Sequence, residues 1–341
     1  MATRSLETGR TALVLGVGGG IGGEVARQLT GAGWRVRALQ RGVGATAASA
    51  TTSDERGIER VQGDAMDREA VLRAAESCDV IVHAVNPPAY RRWAELVLPM
   101  IDNTIAAAQA VGATVVLPGT VYNFGPEALP LVGEDAPQQP RTRKGAIRVA
   151  LEQRLETASA LGVRSIIVRA GDFFGPRVGN SWLAQGLVKA GQPVRTVREP
   201  GTRGVGHTWA YVPDVARAIR ELIEMRAALA PFARFHMTGH WDADGTQMAA
   251  AICRVAQRHG LHARRKSFPW PLIYALAPFA TTPREMLEMR YLWRDALQLD
   301  NAGLVATLGR EPHTPLDAAV EATLAGLGCL GETTHGLAAA Q

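Results

Sequence analysis

Three glycines at a regular spacing are the first residues whose pattern indicates a binding site. Gly16, Gly19 and Gly22 lie between the apolar run "TALVLGV" and "EVARQLTGAG", which has helical periodicity. The first glycine permits a tight turn, the second lets backbone approach a pyrophosphate, and the third allows close helix-to-strand packing. The helix N-terminus then offers N–H groups to phosphates. The pattern predicts a dinucleotide site that includes Gly20 and Ile21; the alternative is a flexible turn without a ligand.

The end of the second apolar run bears on which dinucleotide would bind. An acid at this place bonds a ribose 2′-hydroxyl, whereas an arginine accommodates a 2′-phosphate. The chain has Gln40 and then Arg41, with Arg37 as a possible helper. A planar guanidinium suits a phosphate. NADP(H) is therefore predicted as the preferred cofactor, with NAD(H) as the second choice; alternatively, Arg41 is a solvated loop charge.

The elements that must position these residues alternate between short apolar runs and helical patterns. Such alternation is typical of repeated βαβ units that form a parallel sheet. The predicted fold class is α/β, a Rossmann-type doubly wound parallel sheet with a smaller, mostly helical C-terminal substrate lobe. A helix is predicted from about residue 99 to 111, and "RSIIVRAG" is the last clear strand before "DFFGPRVG" opens a loop.

The domain organisation follows from where this alternation loosens, after Gly175. The small-residue stretch at 42–53 is predicted to be a mobile loop. We expect a nucleotide-binding domain, a smaller substrate lobe and two disordered tails, over these ranges: 10–175 with 207–238 returning to it, 176–206 with 239–330, and 1–9 with 331–341.

Composition restricts the function classes. Hydrophobic residues make up 47% of the 341 residues and charged residues 20%, as in a globular protein. The net charge of +5 comes from scattered basic residues, which favours a solvated arginine excess over nucleic-acid binding. Three cysteines far apart suggest neither a disulfide framework nor a metal site.

No signal-like or membrane-spanning stretch is visible in the sequence, so the cytoplasm is the expected location. The run "FPWPLIYALAPFA" is short and broken by prolines. It is interpreted as packing surface or pocket wall. The expected partners are a small-molecule substrate and a second copy of the chain, with no nucleic acid and no membrane.

Several segments taken together resemble the extended branch of the short-chain dehydrogenase/reductase superfamily, in the NAD-dependent epimerase/dehydratase group. They are "GVGGGIGG", "GDAMD", "VIVHAV", "DNTIAAAQAVGATVVLPGTVYNFG", "RAGDFFGP", "HTWAYVPDVARAI" and "LDNAGLVATLGREPHTPLDAAVEATLAGL". The resemblance implies that Asp64 contacts the adenine, that Ala84 and Val85 line the cofactor cleft, and that Asn103 steadies the helix behind the site. Further cofactor-binding residues are predicted at Ala65, Asn86 and Arg148.

The chain departs from this family at the proton-transfer residues. Members usually carry a serine or threonine before a "VYG"-like turn and a YxxxK pair on the next helix, which together relay a proton. Counting from "TVYNFG" and "RVALEQ", Pro118 replaces the serine, Lys144 the tyrosine and Arg148 the lysine. Lys144, Thr120 and Tyr122 are the remaining candidates for catalysis. Alternatively, Lys144 and Arg148 contact phosphate or ribose, or form a solvated helix face.

Other polar and aromatic residues have less specific interpretations. His83 is expected to make a structural hydrogen bond, and Asn86, with Pro87 and Pro88, to lie over the nicotinamide side of the cleft. His207 and Trp209 could reach a pocket of the second lobe or belong to its core. The same two roles, pocket wall or core, are open for four tryptophans: Trp182, Trp241, Trp270 and Trp293.

Two functions remain open at this point. The first is an NADP(H)-dependent oxidoreductase, epimerase or dehydratase that acts on a small carbonyl or alcohol. The second is a catalytically inactive NADP(H)-binding sensor or interaction protein, because the YxxxK pair is missing. A nucleic-acid binder is a third, less favoured possibility.

Overall fold

A computed structural model describes residues 10–42, 51–53, 57–87, 92–125 and 130–331. The tails at 1–9 and 332–341, most of the predicted mobile loop and Pro88 lie outside the described residues. The chain divides into two compact units. The first unit comprises Met1–Gly171, Val212–Gly239 and Leu297–Pro312, and the second comprises Asp172–Tyr211, His240–Ala296 and His313–Gln341.

The strands are short, with two to seven residues each. In chain order they are β1 (Thr11–Leu15), β2 (Arg35–Gln40), β3 (Thr51–Ser53), β4 (Ile58–Gln62), β5 (Val80–His83), β6 (Thr114–Thr120), β7 (Leu131–Val132), β8 (Ser165–Ala170), β9 (Asp172–Phe174), β10 (Thr196–Glu199), β11 (His207–Tyr211), β12 (Phe232–His236), β13 (His240–Asp242), β14 (Arg264–Ser267) and β15 (Gln298–Leu299).

The α-helices connect these strands. They are α1 (Gly20–Gly31), α2 (Arg68–Ala75), α3 (Trp93–Val111), α4 (Arg143–Ser159), α5 (Val212–Glu224), α6 (Gln247–Arg258), α7 (Trp270–Leu276), α8 (Thr281–Glu288), α9 (Ala302–Leu308) and α10 (Leu316–Gly326). A π-helical turn at Leu183–Leu187 and a 3-10 turn at Arg290–Trp293 complete the set.

The first unit is built on one large sheet with the strand order β12-β8-β6-β5-β1-β2-β4-β3. Seven strands are parallel, and only the edge strand β3 pairs antiparallel, with β4. Every residue of β1, β5 and β8 is buried, as expected for parallel strands covered on both faces. The predicted doubly wound fold is confirmed.

The strand order fixes where a ligand can bind. From β1 the chain proceeds to β2 on one side and returns to β5 on the other, so β1 and β5 are neighbours although far apart in sequence. Ligands of open α/β sheets bind at the carboxyl ends of strands where the order reverses. The site is therefore expected where the loops after β1 and β5 meet.

Two local predictions were wrong. The third helix begins at Trp93, and Pro99, expected near its start, lies inside it. The missing proline N–H removes one helical hydrogen bond, which the buried apolar face of this 19-residue helix tolerates. Asp172–Phe174, expected to be part of a loop, is strand β9, which pairs with β11 in the second unit.

The second unit has two small sheets, β13-β11-β9 and β10-β14, and an apolar core of its own. Aromatic rings dominate one part of this core. Trp182 contacts Trp293 with ring centroids 5.2 Å apart, and Trp293 stacks on His207 at 3.8 Å. Trp209 and Trp293 are buried, so these two rings fill the core.

Candidate active site

The loop after β1 depends on Gly16. This residue has a φ of +93°, and a Cβ there would lie 2.5 Å from the Ala84 carbonyl oxygen and 2.7 Å from the Val85 nitrogen. Any side chain would therefore be strained and would also collide with the backbone that follows β5. Gly16 brings the loops after β1 and β5 into direct contact.

Gly22 is needed for a different reason. A Cβ at this position would collide with the Gly16 carbonyl and come within 3.1 Å of the Ala84 Cβ. The absence of a side chain lets the first turn of α1 pack directly on the preceding loop. The predicted roles of the first and third glycines thus correspond to close backbone approaches in the structure.

The N-terminus of α1 lies beside this contact. Gly19 is the N-cap residue, no side chain caps the helix, and its first turn, which contains Gly20, Ile21 and Gly22, has no acidic residue. Gly18 and Gly19 are exposed, and a Cβ on Gly18 would meet nothing within 4 Å. The first N–H groups of a helix have no intrahelical acceptor. The turn has the open space, the donors and the positive dipole end that a phosphate needs.

Three predicted cofactor residues follow β5 directly. The Ala84 nitrogen donates to the Leu15 carbonyl at 2.9 Å, which continues the pairing of β5 with β1. Ala84 and Val85 are half-buried and Asn86 is exposed. These residues form one wall beside the glycine turn.

The other side of the turn carries the residues predicted to contact the adenosine. Arg41 follows β2, and its Nη1 lies 3.8 Å from the Asp64 Oδ2 in an exposed ion pair. Ala65 is buried, and its carbonyl accepts a 2.9 Å hydrogen bond from the Asn103 amide. Asn103 thus ties α3 to the loop that contains Asp64.

Arg37 does not belong to this group, so its expected help with a 2′-phosphate is wrong. Its guanidinium donates to the carbonyls of Ala74 and Glu76 at the end of α2 and pairs with Glu59. These acceptors satisfy Arg37 away from the end of β2.

Arg60 of β4, which sequence reasoning missed, extends its side chain to the end of β2 instead. Its Nη1 donates to the Gln40 Oε1 at 2.7 Å. The two residues meet because β4 pairs parallel with β2, so that Arg60 lies beside Ala38 and Gln62 beside Gln40. No sequence signal gives this register.

The backbones that carry the three predicted catalytic residues lie near the carboxyl end of β6. Thr120 ends this strand, and its Oγ1 accepts a 3.3 Å hydrogen bond from the Tyr122 nitrogen. A Cβ on Gly145 would collide with the Tyr122 carbonyl, so the first turn of α4 lies against this loop. Lys144 precedes Gly145 and is only 3% exposed, which excludes a solvated helix face for this residue.

Pro118 and Arg148 are the other two residues that the sequence aligns with the family's proton-transfer positions. Pro118 is buried within β6 beside Val168 of β8 and offers no hydroxyl. The Arg148 guanidinium lies 5.1 Å from the ring centroid of Trp93 on α3. Arg148 and Lys144 are one helical turn apart on α4 and therefore share a face.

His83 at the end of β5 makes the structural hydrogen bond that was expected of it. Its Nδ1 lies 2.8 Å from the Thr104 Oγ1, and that hydroxyl donates to the Met100 carbonyl. The Nδ1 must therefore carry the proton and donate. Burial, reinforced by the charge of Arg148, lowers the pKa of His83 to about 3, so the ring is neutral near neutral pH.

A buried polar network that the sequence did not reveal holds the loop after β6. Arg169 donates to both carboxylate oxygens of Glu152, at 3.1 and 2.5 Å, and both side chains are buried. The Asn123 amide donates to Glu152 at 2.9 Å. The only sequence signal is an acid beside the apolar residues Leu151 and Leu155 of α4.

His236 completes this network. Its Nε2 lies 2.9 Å from the Arg169 Nη1, and its Nδ1 lies 3.1 Å from the Val132 carbonyl. Burial and the charge of Arg169 lower the pKa of His236 to about 3. A neutral ring with the proton on Nδ1 satisfies both contacts.

His207 and Trp209 of the second unit are both buried. The His207 Nε2 lies 2.9 Å from the Asp172 Oδ2, and its Nδ1 lies 3.1 Å from the Leu292 carbonyl.

Within the described ranges, no group of three or more His, Cys, Asp or Glu side chains could hold a metal ion. In the same ranges, helices are too short or too polar to cross a membrane.

Comparison with known proteins gives a family and a fold. The model of the NAD dependent epimerase/dehydratase family matches residues 12–235. UDP-glucose 4-epimerase from Brucella ovis in complex with NAD is 17% identical, with a TM-score of 0.70 over 94% of this chain and 98% of that chain. UDP-glucose 4-epimerase from Thermotoga maritima with UDP-glucose is also 17% identical, with a TM-score of 0.70 over 93% of this chain and 98% of that chain.

A putative epimerase from Burkholderia cenocepacia is similar at 20% identity, with a TM-score of 0.68 over 94% of this chain and 98% of that chain. Comparison with curated protein sequences finds no significant match. At these identities the structural likeness establishes the fold.

Proposed function

Since the chain belongs to the NAD-dependent epimerase/dehydratase family, an extended branch of the short-chain dehydrogenases/reductases, we propose that it is an NADP(H)-dependent oxidoreductase, epimerase or dehydratase. Its substrate is a small carbonyl or alcohol. The observation that carries this proposal is the glycine turn between β1 and α1, in which Gly16 packs on the backbone after β5.

The residues around this turn fit a dinucleotide. The N–H groups of Gly20, Ile21 and Gly22 would hold the pyrophosphate, since no side chain or acid competes for the helix N-terminus. Asp64 and Ala65 would border the adenine, and Ala84, Val85 and Asn86 would line the cleft toward the nicotinamide. When bound, the dinucleotide supplies hydride chemistry, which amino-acid side chains lack.

A preference for the 2′-phosphate rests on charge at the end of β2. Gln40 places no acid there, Arg41 is exposed, and Arg60 reaches Gln40 from the neighbouring strand. Two guanidinium groups would therefore flank a phosphate. Asp64 works against this preference, because its carboxylate lies 3.8 Å from Arg41 and partly neutralises the charge that would attract the phosphate.

Proton transfer falls to the residues at the end of β6. Pro118 lacks a hydroxyl, and a guanidinium such as that of Arg148 does not give up its proton near neutral pH. Lys144, Thr120 and Tyr122 carry transferable protons, and the close approach of Gly145 to the Tyr122 carbonyl supports their assignment to one site. Arg148 would contact a phosphate or a ribose, and the neutral ring of His83 would support the end of β5.

We infer the candidate substrate classes from the relatives. The similar structures from Brucella ovis and Thermotoga maritima are UDP-glucose 4-epimerases, which makes a nucleotide sugar one candidate. Less polar carbonyl compounds are a second candidate.

A turnover assay with NADPH and a panel of carbonyl compounds and nucleotide sugars tests this proposal. Lys144→Ala combined with Tyr122→Phe should lower kcat at least about 100-fold, the scale of a lost general acid–base group. Lys189→Ala, at an exposed lysine of the second unit, is the control and should retain full rate. Full rate in the double variant would remove both groups from the mechanism.

A second candidate function follows from Pro118, which occupies the place of the family's usual hydroxyl. In this case the chain binds NADP(H) without turnover and acts as a sensor or interaction protein. Tight NADPH binding, no consumption with the whole panel, and a partner captured only with NADPH present would favour this function over the enzyme.

A further inference from the structure

The segment from α7 to Phe279 exposes large apolar side chains to solvent. The exposed fractions of Leu272, Tyr274 and Leu276 are 55%, 50% and 43%, and that of Phe279 is 87%. Leu272 and Leu276 are one helical turn apart and share a face of α7. The sequence predicted packing surface or pocket wall here, but α7 contains no buried residue. An exposed apolar group of this size marks an interaction surface.

Two arginines lie directly against this segment. The Arg290 guanidinium is 4.9 Å from the ring centroid of Trp270 and 5.1 Å from that of Tyr274, whose hydroxyl it also contacts. The Arg284 Nη2 donates to the Pro278 carbonyl at 3.4 Å. The apolar side chains are therefore bordered by positive charge.

A cationic strand pair leads into α7. Strands β10 and β14 are parallel, and Arg198 is the register partner of Lys266. Arg264 points to the same side of the sheet as Lys266, because side chains alternate along a strand. These three side chains are exposed, and in the part of the chain that the structure describes none of them forms an ion pair.

Glu199, the acid next to Arg198 in β10, does not compensate this charge. Glu199 follows Arg198 and pairs with Arg265, which follows Arg264, so both point to the opposite side of the sheet. Like charges on neighbouring strands repel. Over residues 264–294 there are six basic side chains and two acidic ones. The segment 264–294 therefore has a net positive charge, which is complementary to an anionic partner.

We infer that the second unit binds the surface of an anionic lipid membrane through Leu272, Leu276, Phe279 and the cations of β10 and β14. Apolar side chains that insert among lipids, bordered by Lys and Arg that contact anionic headgroups, are the two components of interfacial membrane binding. A nucleic acid would use the cations but would leave the exposed leucines and Phe279 against a polar ligand. This inference does not depend on dinucleotide binding.

Co-sedimentation with vesicles tests this inference. The full-length chain should bind vesicles of phosphatidylglycerol mixed with phosphatidylcholine at least about tenfold better than vesicles of phosphatidylcholine alone, because several cations contribute. The difference should shrink as salt is added, since exposed charges are screened. Equal or absent binding to both kinds of vesicle would overturn the inference.

Variants separate the two components. Leu272→Glu with Phe279→Glu should abolish vesicle binding, whereas Lys266→Gln should weaken it about fivefold, as expected for one cation near an anionic surface. Leu161→Glu is the matched control, because Leu161 is 68% exposed and lies in the first unit. NADPH titration of each variant verifies that the first unit is intact.

Three outcomes would contradict the membrane assignment. Vesicle binding that survives Leu272→Glu with Phe279→Glu would remove the apolar component. Binding of single-stranded RNA that is lost in Lys266→Gln and retained in the apolar variant would assign the surface to nucleic acid. A dimer in sedimentation velocity that the apolar variant converts to a monomer, without vesicle binding by the wild type, would assign it to a second copy of the chain.

Discussion

The glycine turn after β1 and the loop after β6 lie in the same unit but are built differently. The glycine turn consists of backbone, and Gly16 and Gly22 matter because any side chain would collide. The loop after β6 depends on side chains and is held by the buried Arg169–Glu152 pair and by Asn123. The first region carries the glycine spacing predicted for a phosphate site, and the second carries residues that we propose for proton transfer.

The difference shows which requirement each region has to meet. A phosphate needs N–H groups and open space. The backbone supplies both once the glycines are present, whatever the neighbouring side chains are. Proton transfer needs particular side chains with suitable protonation states. We propose that residues at the second region have changed, from hydroxyl and amine to Pro118 and Arg148, while the fold and the glycine turn remain.

The largest expected effect comes from removing the charge that holds the loop after β6. Glu152→Ala should lower the free energy of unfolding by about 4 kcal/mol, because Arg169 would keep a buried charge without its partner. Urea unfolding measures this loss. Glu156→Ala, at an exposed position of the same helix, should cost less than about 0.5 kcal/mol. Equal losses in the two variants would contradict the role of the buried pair.

The corresponding change in the glycine turn is Gly16→Ala. The residue would be strained at a φ of +93° and would collide with the Ala84 carbonyl. We expect a loss of about 3 kcal/mol in urea unfolding. Gly31→Ala, at the other end of α1 where a Cβ meets nothing within 4 Å, should be neutral or stabilising. An unchanged stability in Gly16→Ala would show that the turn can relax.

The pH dependence of stability tests both regions, because each region contains one buried neutral histidine. The pKa values of His83 and His236 are lowered to about 3, so the unfolded chain takes up protons first. Each histidine should contribute stability that is complete above about pH 6.5 and is lost as the pH falls toward 3, about 2 kcal/mol between pH 7 and pH 5.

Urea midpoints across this pH range measure the effect. His83→Asn and His236→Asn should each remove about 2 kcal/mol of the stability lost between pH 7 and pH 5. A pH dependence that neither buried-site variant alters would contradict the assignment.

The smallest expected effect concerns cofactor preference. Arg41→Ala should weaken NADPH binding about five- to tenfold, the loss of one exposed charge-assisted contact, and should leave NADH binding unchanged. Arg35→Ala, at the opposite end of β2, is the control. Equal weakening of NADPH and NADH would show that Arg41 does not read the 2′-phosphate.

The sequence predicted the structure correctly where a local requirement, such as an apolar strand or a positive φ, is met by one residue type. Apolar runs predicted β1, β5 and β8, because parallel strands covered on both faces are apolar throughout. The positive φ of Gly16 agrees with its predicted turn. Pro99 was misread as a helix start, because the packing of a long apolar face outweighed the loss of one hydrogen bond.

Features that depend on distant partners could not be predicted. Arg37 and Arg60 have the same side chain, and only the register of β2 with β4 and the position of α2 decide which one is near Gln40. Glu152 and Arg169 pair because α4 packs beside β8, which no spacing in the chain encodes. The burial of Lys144 is likewise a property of packing and not of "PRTRKGAIR".

Calorimetric titration with NADPH tests the central claim that the turn from Gly16 to Gly22 binds a dinucleotide. Gly18→Asp places a carboxylate in open space beside the helix N-terminus, and Gly31→Asp makes the same change at the other end of α1. Wild type and Gly31→Asp should bind alike, and Gly18→Asp should bind at least about tenfold more weakly, because the carboxylate repels a pyrophosphate. Folded wild-type protein that takes up neither NADPH nor NADH, or Gly18→Asp that binds as tightly as wild type, would contradict the account.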